Sequence, residues 1–248
     1  MALSLFVVAA LASATLVTSF ISGILGMAGG MILMGVLLVL VPLPTAMLLH
    51  GVVQFAANGW RAFLLRKEID WRVFGGYAAG AFLALGVFAL AQVVVSKPVA
   101  LIAMGLTPFV ALALPEKVHL NVERRWHPFV CGIVCLALSL TAGIAGPILD
   151  VFFVRSKMTR HAVVATKATT QTLSHLMKIG YFGALTLTGD PVPTWLAASL
   201  VLLALAGTSL SRQVLERISD AAFRQWTRWT VSALGLVYLA NGVRLALA

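Results

Sequence analysis

Charge is what this chain most lacks. Only 10% of its residues are Asp, Glu, Lys or Arg, against about 25% in a soluble domain. None occurs before Arg61. Further uncharged runs cover residues 73–96, 98–115, 128–149 and 191–211. Each reaches or approaches the roughly 20 residues with which a helix crosses a bilayer. With 60% of the residues hydrophobic, no soluble fold would hide the apolar surface, so lipid must solvate much of it. The runs are continuous rather than alternating, which excludes a membrane β-barrel. Helices remain, because only they and barrels satisfy their backbone in lipid.

Cysteine is almost absent too. Cys131 and Cys135 stand four apart in an apolar segment. They give no disulfide framework and no metal motif, and read as core packing. Acidic residues number 8 against 18 basic ones, for a net charge of +10. Such an excess suits nucleic acid, but the bases lie mainly in short connectors between apolar runs, as the positive-inside rule expects. Nucleic acid is therefore excluded as a partner and the lipid bilayer takes its place. The first apolar stretch has no basic region before it, so it is expected to be a retained helix rather than a cleaved signal.

What is present organises as helix-length segments at residues 5–25, 32–41, 45–65, 71–95, 98–114, 128–142, 148–154, 160–187, 194–213 and 221–247. The segments 32–41 and 148–154 are too short to span, and each follows a glycine cluster. Basic residues mark four cytoplasmic connectors: Arg66, Lys67 and Arg72; Lys117, Arg124 and Arg125; Arg155, Lys157 and Arg160; Arg212, Arg217 and Arg224. Connectors 42–44 and 189–193 hold no base and face outward; 92–97 follows by alternation. The chain is thus inside at Arg125 and inside again at Arg155. The stretch between must enter and return, through a re-entrant turn at 143–147. By alternation the first half makes the same turn from outside, at 26–30. The fold class expected is all-α integral membrane, with about eight transmembrane helices and two short re-entrant arms in two inverted repeats. Residues 1–115 form the first repeat, 116–127 a cytoplasmic linker and 128–248 the second repeat.

An ungapped shift of 117 residues (from 26 to 143) superposes the halves. Gly26, Met27, Ala28 and Gly29 meet Gly143, Ile144, Ala145 and Gly146. His50 meets Lys167, Gln54 meets Gln171, Asn58 meets His175 and Arg61 meets Lys178. Polar residues thus recur at matched depths in apolar surroundings, the plan of transporters whose site lies at the repeat interface near the midplane.

These residues are the candidate site. Gly26, Ala28, Gly29 and Gly30, with Gly143 and Gly146, lie where the backbone must reverse inside the membrane, which is tolerated only in protein or beside a cavity. The half-helices that follow would present free N–H groups and positive dipole ends to an anion. Close helix packing is the alternative use of small residues in lipid. His50, Gln54, Asn58 and Arg61 step by four, four and three residues along one helix. Lys167, Gln171, Ser174 or His175, and Lys178 do the same on its mate. Facing each other, the two stripes make a cationic, hydrogen-bonding lining suited to an oxyanion. Arg61, and Lys167 too, lie near enough to a helix end to snorkel, whereas Lys178 lies deeper. Asp150, four residues after Gly146, must be protonated, paired or hydrated. It reads either as a proton-coupling group or as the partner of a nearby cation.

The glycine-rich run Gly23-Ile24-Leu25-Gly26-Met27-Ala28-Gly29-Gly30, its second copy at 143–147, the repeat and the length carry a resemblance. The chain resembles the TauE/SafE sulfite exporter family, also called the toluene-sulfonate uptake permease family. That resemblance implies transport of sulfur-containing anions such as sulfite, sulfonates and sulfoacetate across the bacterial cytoplasmic membrane, with no prosthetic group. Where the family's first copy has three consecutive glycines, Ala28 replaces one, and Gly35 stands where a proline is typical. A homo-oligomer is compatible with it. Enzyme motifs do not appear: there is no His-Glu-x-x-His, Gly-x-Ser-x-Gly or Walker loop. Ser174 and His175 are adjacent and so diverge on a helix surface. An enzyme is therefore not expected; a membrane subunit that does not itself transport is the competing reading.

Overall fold

In the computed structural model, residues 4–25, 27–115, 120–186, 192–215 and 220–247 are described. Among them the chain is all helical: α1 (Leu5–Leu25), α2 (Met27–Leu40), α3 (Leu43–Leu64), α4 (Trp71–Ala91), α5 (Lys97–Ala113), α6 (His127–Thr141), α7 (Gly146–Phe153), α8 (Arg160–Thr186), α9 (Thr194–Leu215) and α10 (Asp220–Leu247). A 3-10 turn, Arg66–Glu68, joins α3 to α4.

Local chemistry sets several starts. Proline stands in the first turn of α3, α5, α6 and α7, where its missing N–H costs nothing and its fixed φ suits a helix. The Asp70 carboxylate opens α4 by accepting from the Arg72 and Val73 amides, both at 3.0 Å, a standard N-cap. α4 ends on Gln92 in the left-handed region, φ 49°. Pro108 lies inside α5, where it removes one hydrogen bond of the ladder.

Two pairs of helices fold back on themselves. Gly29 of α2 lies against the Thr18 carbonyl and the Ser22 amide of α1, so α2 reverses along α1. In the second pair the returning end of α7 meets the start of the hairpin. The Val122 amide donates to the Phe152 carbonyl at 3.0 Å, and the Lys157 amide to the Glu123 carboxylate at 2.7 Å. The Asn121 amide group reaches the Arg155 carbonyl at 3.0 Å. The chain therefore leaves the second hairpin on the side where it entered.

The long helices α3 and α8 pack on each other at the centre. Gly51 meets Ile179, and Gly59 meets Thr172, so the two run antiparallel. Around them α1 packs on α9, α4 on α6 and α5 on α10. The arm α2 touches α10, and the arm α7 touches α5. Among the described residues, four helices are long and apolar enough to cross a membrane: Leu5–Ile24, Trp71–Ala91, Thr194–Ser211 and Gln225–Leu247. Their outward faces carry large bare apolar groups such as Leu90, Leu202 and Trp229. In a soluble monomer an apolar surface this extensive would be an association site; here it matches a multi-pass protein in lipid.

The structure corrects the sequence reading at the glycines. Ala28, Gly29 and Gly30 are not in a turn but in the first turn of α2, which starts at Met27 and not at 32. α1 continues to Leu25, and Gly26 lies outside the described residues. Gly146 likewise is the first residue of α7, and the second reversal occupies residues 142–145. The physical reason is that these glycines serve close approach rather than bending. The connector bases Lys117 and Arg217 and the residues 187–191 lie outside the described residues, as do the side chains of Arg212 and Arg224. Cys131 and Cys135 are buried and free, with 3.8 Å between their sulfurs.

Candidate functional site

The site is built from its glycines outward. A Cβ on Gly29 would fall 2.5 Å from both the Ser22 amide nitrogen and Oγ, so α1 and α2 approach as closely as they do only because no side chain intervenes. Gly143 adopts φ +78°, a conformation other residues seldom take, and it turns the chain after α6. A Cβ there would also meet the Met34 side chain of α2 at 2.9 Å. A Cβ on Gly146 would lie 2.6 Å from Cβ of Met27. Gly146 opens α7 and Met27 opens α2. Two helix N-termini thus meet head to head. Each carries amides without an intrahelical acceptor and the positive end of a helix dipole.

Beside this meeting point runs a chain of buried polar contacts. His50 of α3 places Nε2 3.0 Å from the Gly30 carbonyl. Its Nδ1 lies 3.1 Å from Nζ of Lys178 on α8. Lys178 also donates to the Gly143 carbonyl at 2.9 Å. The roles follow from the partners. A carbonyl can only accept, so Nε2 carries the proton and Nδ1 accepts from Lys178. Lys178 is 0% exposed and His50 1%. Four elements are tied by these three bonds: α2, α3, α8 and the turn after α6.

The remaining stripe residues crowd the same place. The His175 ring lies edge-on to His50, 5.5 Å between centroids, and its buried Nδ1 has no hydrogen-bond partner. Asn58 donates to the Gln54 carbonyl at 3.0 Å and to Oε1 at 3.3 Å. With Oε1 so engaged, the Gln54 amide nitrogen faces Gly30, where an added Cβ would sit 2.7 Å away. Ser174 and Tyr77 share a buried hydrogen bond of 2.7 Å that fixes α8 to α4.

Gly30, His50, Gln54, Asn58, Gly143, His175 and Lys178 therefore come together, with Gly146 adjoining through Met27. Lys167, Gln171 and Asp150 do not join them. Lys167 and Asp150 form an ion pair between α8 and α7 with both side chains partly exposed, and Gln171 is half-buried. Asp150 is thus taken by Lys167 rather than by Lys178, and among the described residues no carboxylate pairs with Lys178. Ala28 is buried within α2, and Gly29 serves α1. Arg61 does not merely snorkel: it donates to the Ser22 carbonyl at 3.3 Å, in the last turn of α1. Its mate by the shift of 117 (from 61 to 178) is Lys178, which donates just past the end of α6. Both cations meet the negative, carbonyl end of a hairpin's first helix, where a positive charge is stabilised.

Sequence reasoning missed Met27 and Met34, which wall the glycines, and Tyr238, whose hydroxyl donates to the Met31 carbonyl at 2.8 Å. Apolar and backbone partners carry no motif, so only the helical spacing of α2 hinted at them. A recess of about 320 Å³ lined by Arg66, Lys67, Glu68 and His161 sits at the α3–α4 connector. It is a surface feature apart from the buried group.

Comparison with known proteins bears on this geometry. No curated protein and no solved structure matches the chain. The family profile described as Sulfite exporter TauE/SafE matches residues 11–238. That span holds both hairpins but for the first residues of α1, both polar stripes and every residue of the buried group. The chain belongs to the TauE/SafE sulfite exporter family.

Proposed function

We propose that this protein is a secondary transporter of small sulfur-containing anions, such as sulfite, sulfonates or sulfoacetate, in the bacterial cytoplasmic membrane. The anion binds between two inverted repeats and is released by alternating access. The observation that carries this reading is the head-to-head meeting of α2 and α7 beside Lys178. Two positive helix ends that face each other, with a lysine beside them, favour an anion between them. The His50 imidazole N–H is already committed to Gly30, which leaves the Gln54 amide, the third N–H of Lys178 and the first-turn amides to hold the oxygens.

The pairing of elements supports the repeat. Under the shift of 117 residues (from 26 to 143), the α1–α9 packing corresponds to α6–α4, and α2–α10 corresponds to α7–α5. The pairs α3–α8 and α5–α10 map onto themselves. In this reading α1, α3 to α6 and α8 to α10 are the eight nominal membrane helices. The arms α2 and α7 are the returning limbs of re-entrant hairpins entered from opposite sides. Residues 1–115 and 128–248 are the two repeats.

Burial along α8 supports a route to the site. Lys167 is partly exposed, Gln171 half-buried and His175 and Lys178 buried. The polar stripe therefore reads as a vestibule that narrows from the connector 154–159 toward Lys178. The ion pair of Lys167 with Asp150 holds α7 against α8 along that vestibule.

Counterflow in proteoliposomes tests the function. Vesicles preloaded with unlabelled sulfite, and separately with methanesulfonate, are expected to accumulate the labelled anion transiently. Lys178→Met should abolish that accumulation. Absence of counterflow for sulfite, methanesulfonate, sulfoacetate and simple carboxylates alike would favour a non-transporting membrane subunit.

A further inference from the structure

We infer that Lys178 takes up one proton each time an anion binds, so that anion and proton cross together. This rests on the anion site proposed above and names its coupling ion. Nζ of Lys178 is wholly buried and meets only the His50 ring nitrogen and the Gly143 carbonyl. Both are neutral groups. A charged ammonium in such a place, without an anion, has only the partial negative charge at the end of α6 to set against the cost of removal from water. A neutral amine bears little of it, and still donates one hydrogen to each neighbour. An arriving anion changes the balance, because a buried ion pair is tolerated where a buried lone charge is not. Binding the anion and protonating the amine therefore favour each other, and the linkage is reciprocal.

The surrounding groups leave this task to Lys178. Asp150 of α7 is engaged by Lys167. Arg61 of α3 is bonded to Ser22 at the far end of the helix pair. From α4, Tyr77 is bonded to Ser174, and Tyr181 of α8 is bonded back to the α4 carbonyls of Phe88 and Val93. Cys131 and Cys135 of α6 face one another. α2 carries no titratable residue. His50 cannot gain a proton while Nδ1 accepts from Lys178 and Nε2 donates to Gly30. His175, one turn before Lys178, has an open Nδ1 and is the second acceptor through which a proton would pass toward the α7–α8 vestibule. The step is R–NH₂ plus one proton from the aqueous side giving R–NH₃⁺ beside the bound anion; release reverses both.

The experiment is isothermal titration of the full chain in detergent with methanesulfonate, which keeps one negative charge at all working pH values. Titrations run in buffers of different ionisation enthalpy between pH 6 and 9. The expected result is uptake of about one proton per anion in the upper part of that range. Affinity should fall about tenfold per pH unit there, as one-proton linkage requires. In Lys178→Arg the charge is permanent, so binding that persists should be independent of pH and of buffer. Binding by the natural chain with no proton uptake across the range would overturn the inference and leave the anion site standing. Failure of both methanesulfonate and sulfite to bind would overturn the anion site and the coupling together.

Discussion

At the scale of single residues, the account depends on a few side chains whose replacement has opposite signatures. His50 both donates to Gly30 and accepts from Lys178. His50→Leu would take one hydrogen bond from each of two buried groups, the Gly30 carbonyl and the Lys178 amine, at about 1 kcal/mol each. A clear fall in thermal midpoint in detergent is expected, and His50→Gln, which can donate and accept, should recover part of it. Equal stability of the two variants would show that the contacts carry no weight. Asp150→Asn is expected to do much less. Its ion pair with Lys167 is partly exposed on both sides, a setting in which such pairs contribute at most about 1 kcal/mol. Transport by Asp150→Asn should keep the pH profile of the natural chain, and a flattened profile would move the proton step from Lys178 to Asp150. Gly29→Val should be the most damaging change, because no rotamer escapes the Ser22 backbone; loss of folded protein on size-exclusion chromatography is the readout.

The burial of several of these residues was legible in the sequence. The four-and-three spacing put His50 and Lys178 on facing stripes, and their depth in uncharged sequence marked them as buried. What the sequence could not supply was partners. Gly143, Gly30 and Ser22 accept through their backbones, which no pattern encodes, and Asp150 could pair with Arg155, Lys157, Lys167 or Lys178 until their positions were known.

At the scale of elements, the two hairpins are the feature on which the topology turns. Five helix starts lie within two residues of the segments read from the apolar runs, and the structure has a proline or an Asp cap at each: Pro44, Asp70, Pro98, Pro128 and Pro147. The bends were harder. Glycine clusters signal both a reversal and close packing, and here Gly29 and Gly30 pack within the first turn of α2. The second hairpin gives a direct test. Asn121 and Ser156 flank it at the joined ends, so cysteines placed at 121 and 156 should react with an impermeant maleimide from the same side of the membrane. Labelling from opposite sides would turn the hairpin into a span and remove the inverted arrangement.

At the scale of the whole molecule, a bundle of apolar helices surrounds a central pair that carries the polar groups. The outer helices α1, α4, α9 and α10 meet lipid and read plainly as spans. The inner pair, α3 and α8, is polar enough along one face that composition alone would underrate it, and it is held by its neighbours rather than by its own hydropathy. This division keeps Lys178 wholly covered by protein, as a buried cation in a membrane requires. It also brings the starts of α2 and α7 together inside the bundle, which is what the proposed anion site requires.

The most direct test is where an anion sits. Selenite is a heavier analogue of sulfite, and its selenium is visible by anomalous diffraction from crystals of the full chain. One peak is expected within hydrogen-bond reach of Lys178 Nζ, between the amides that open α2 and α7. A peak found only at the surface recess beside Arg66 and Lys67, with none at the meeting of the two helix starts, would contradict the account.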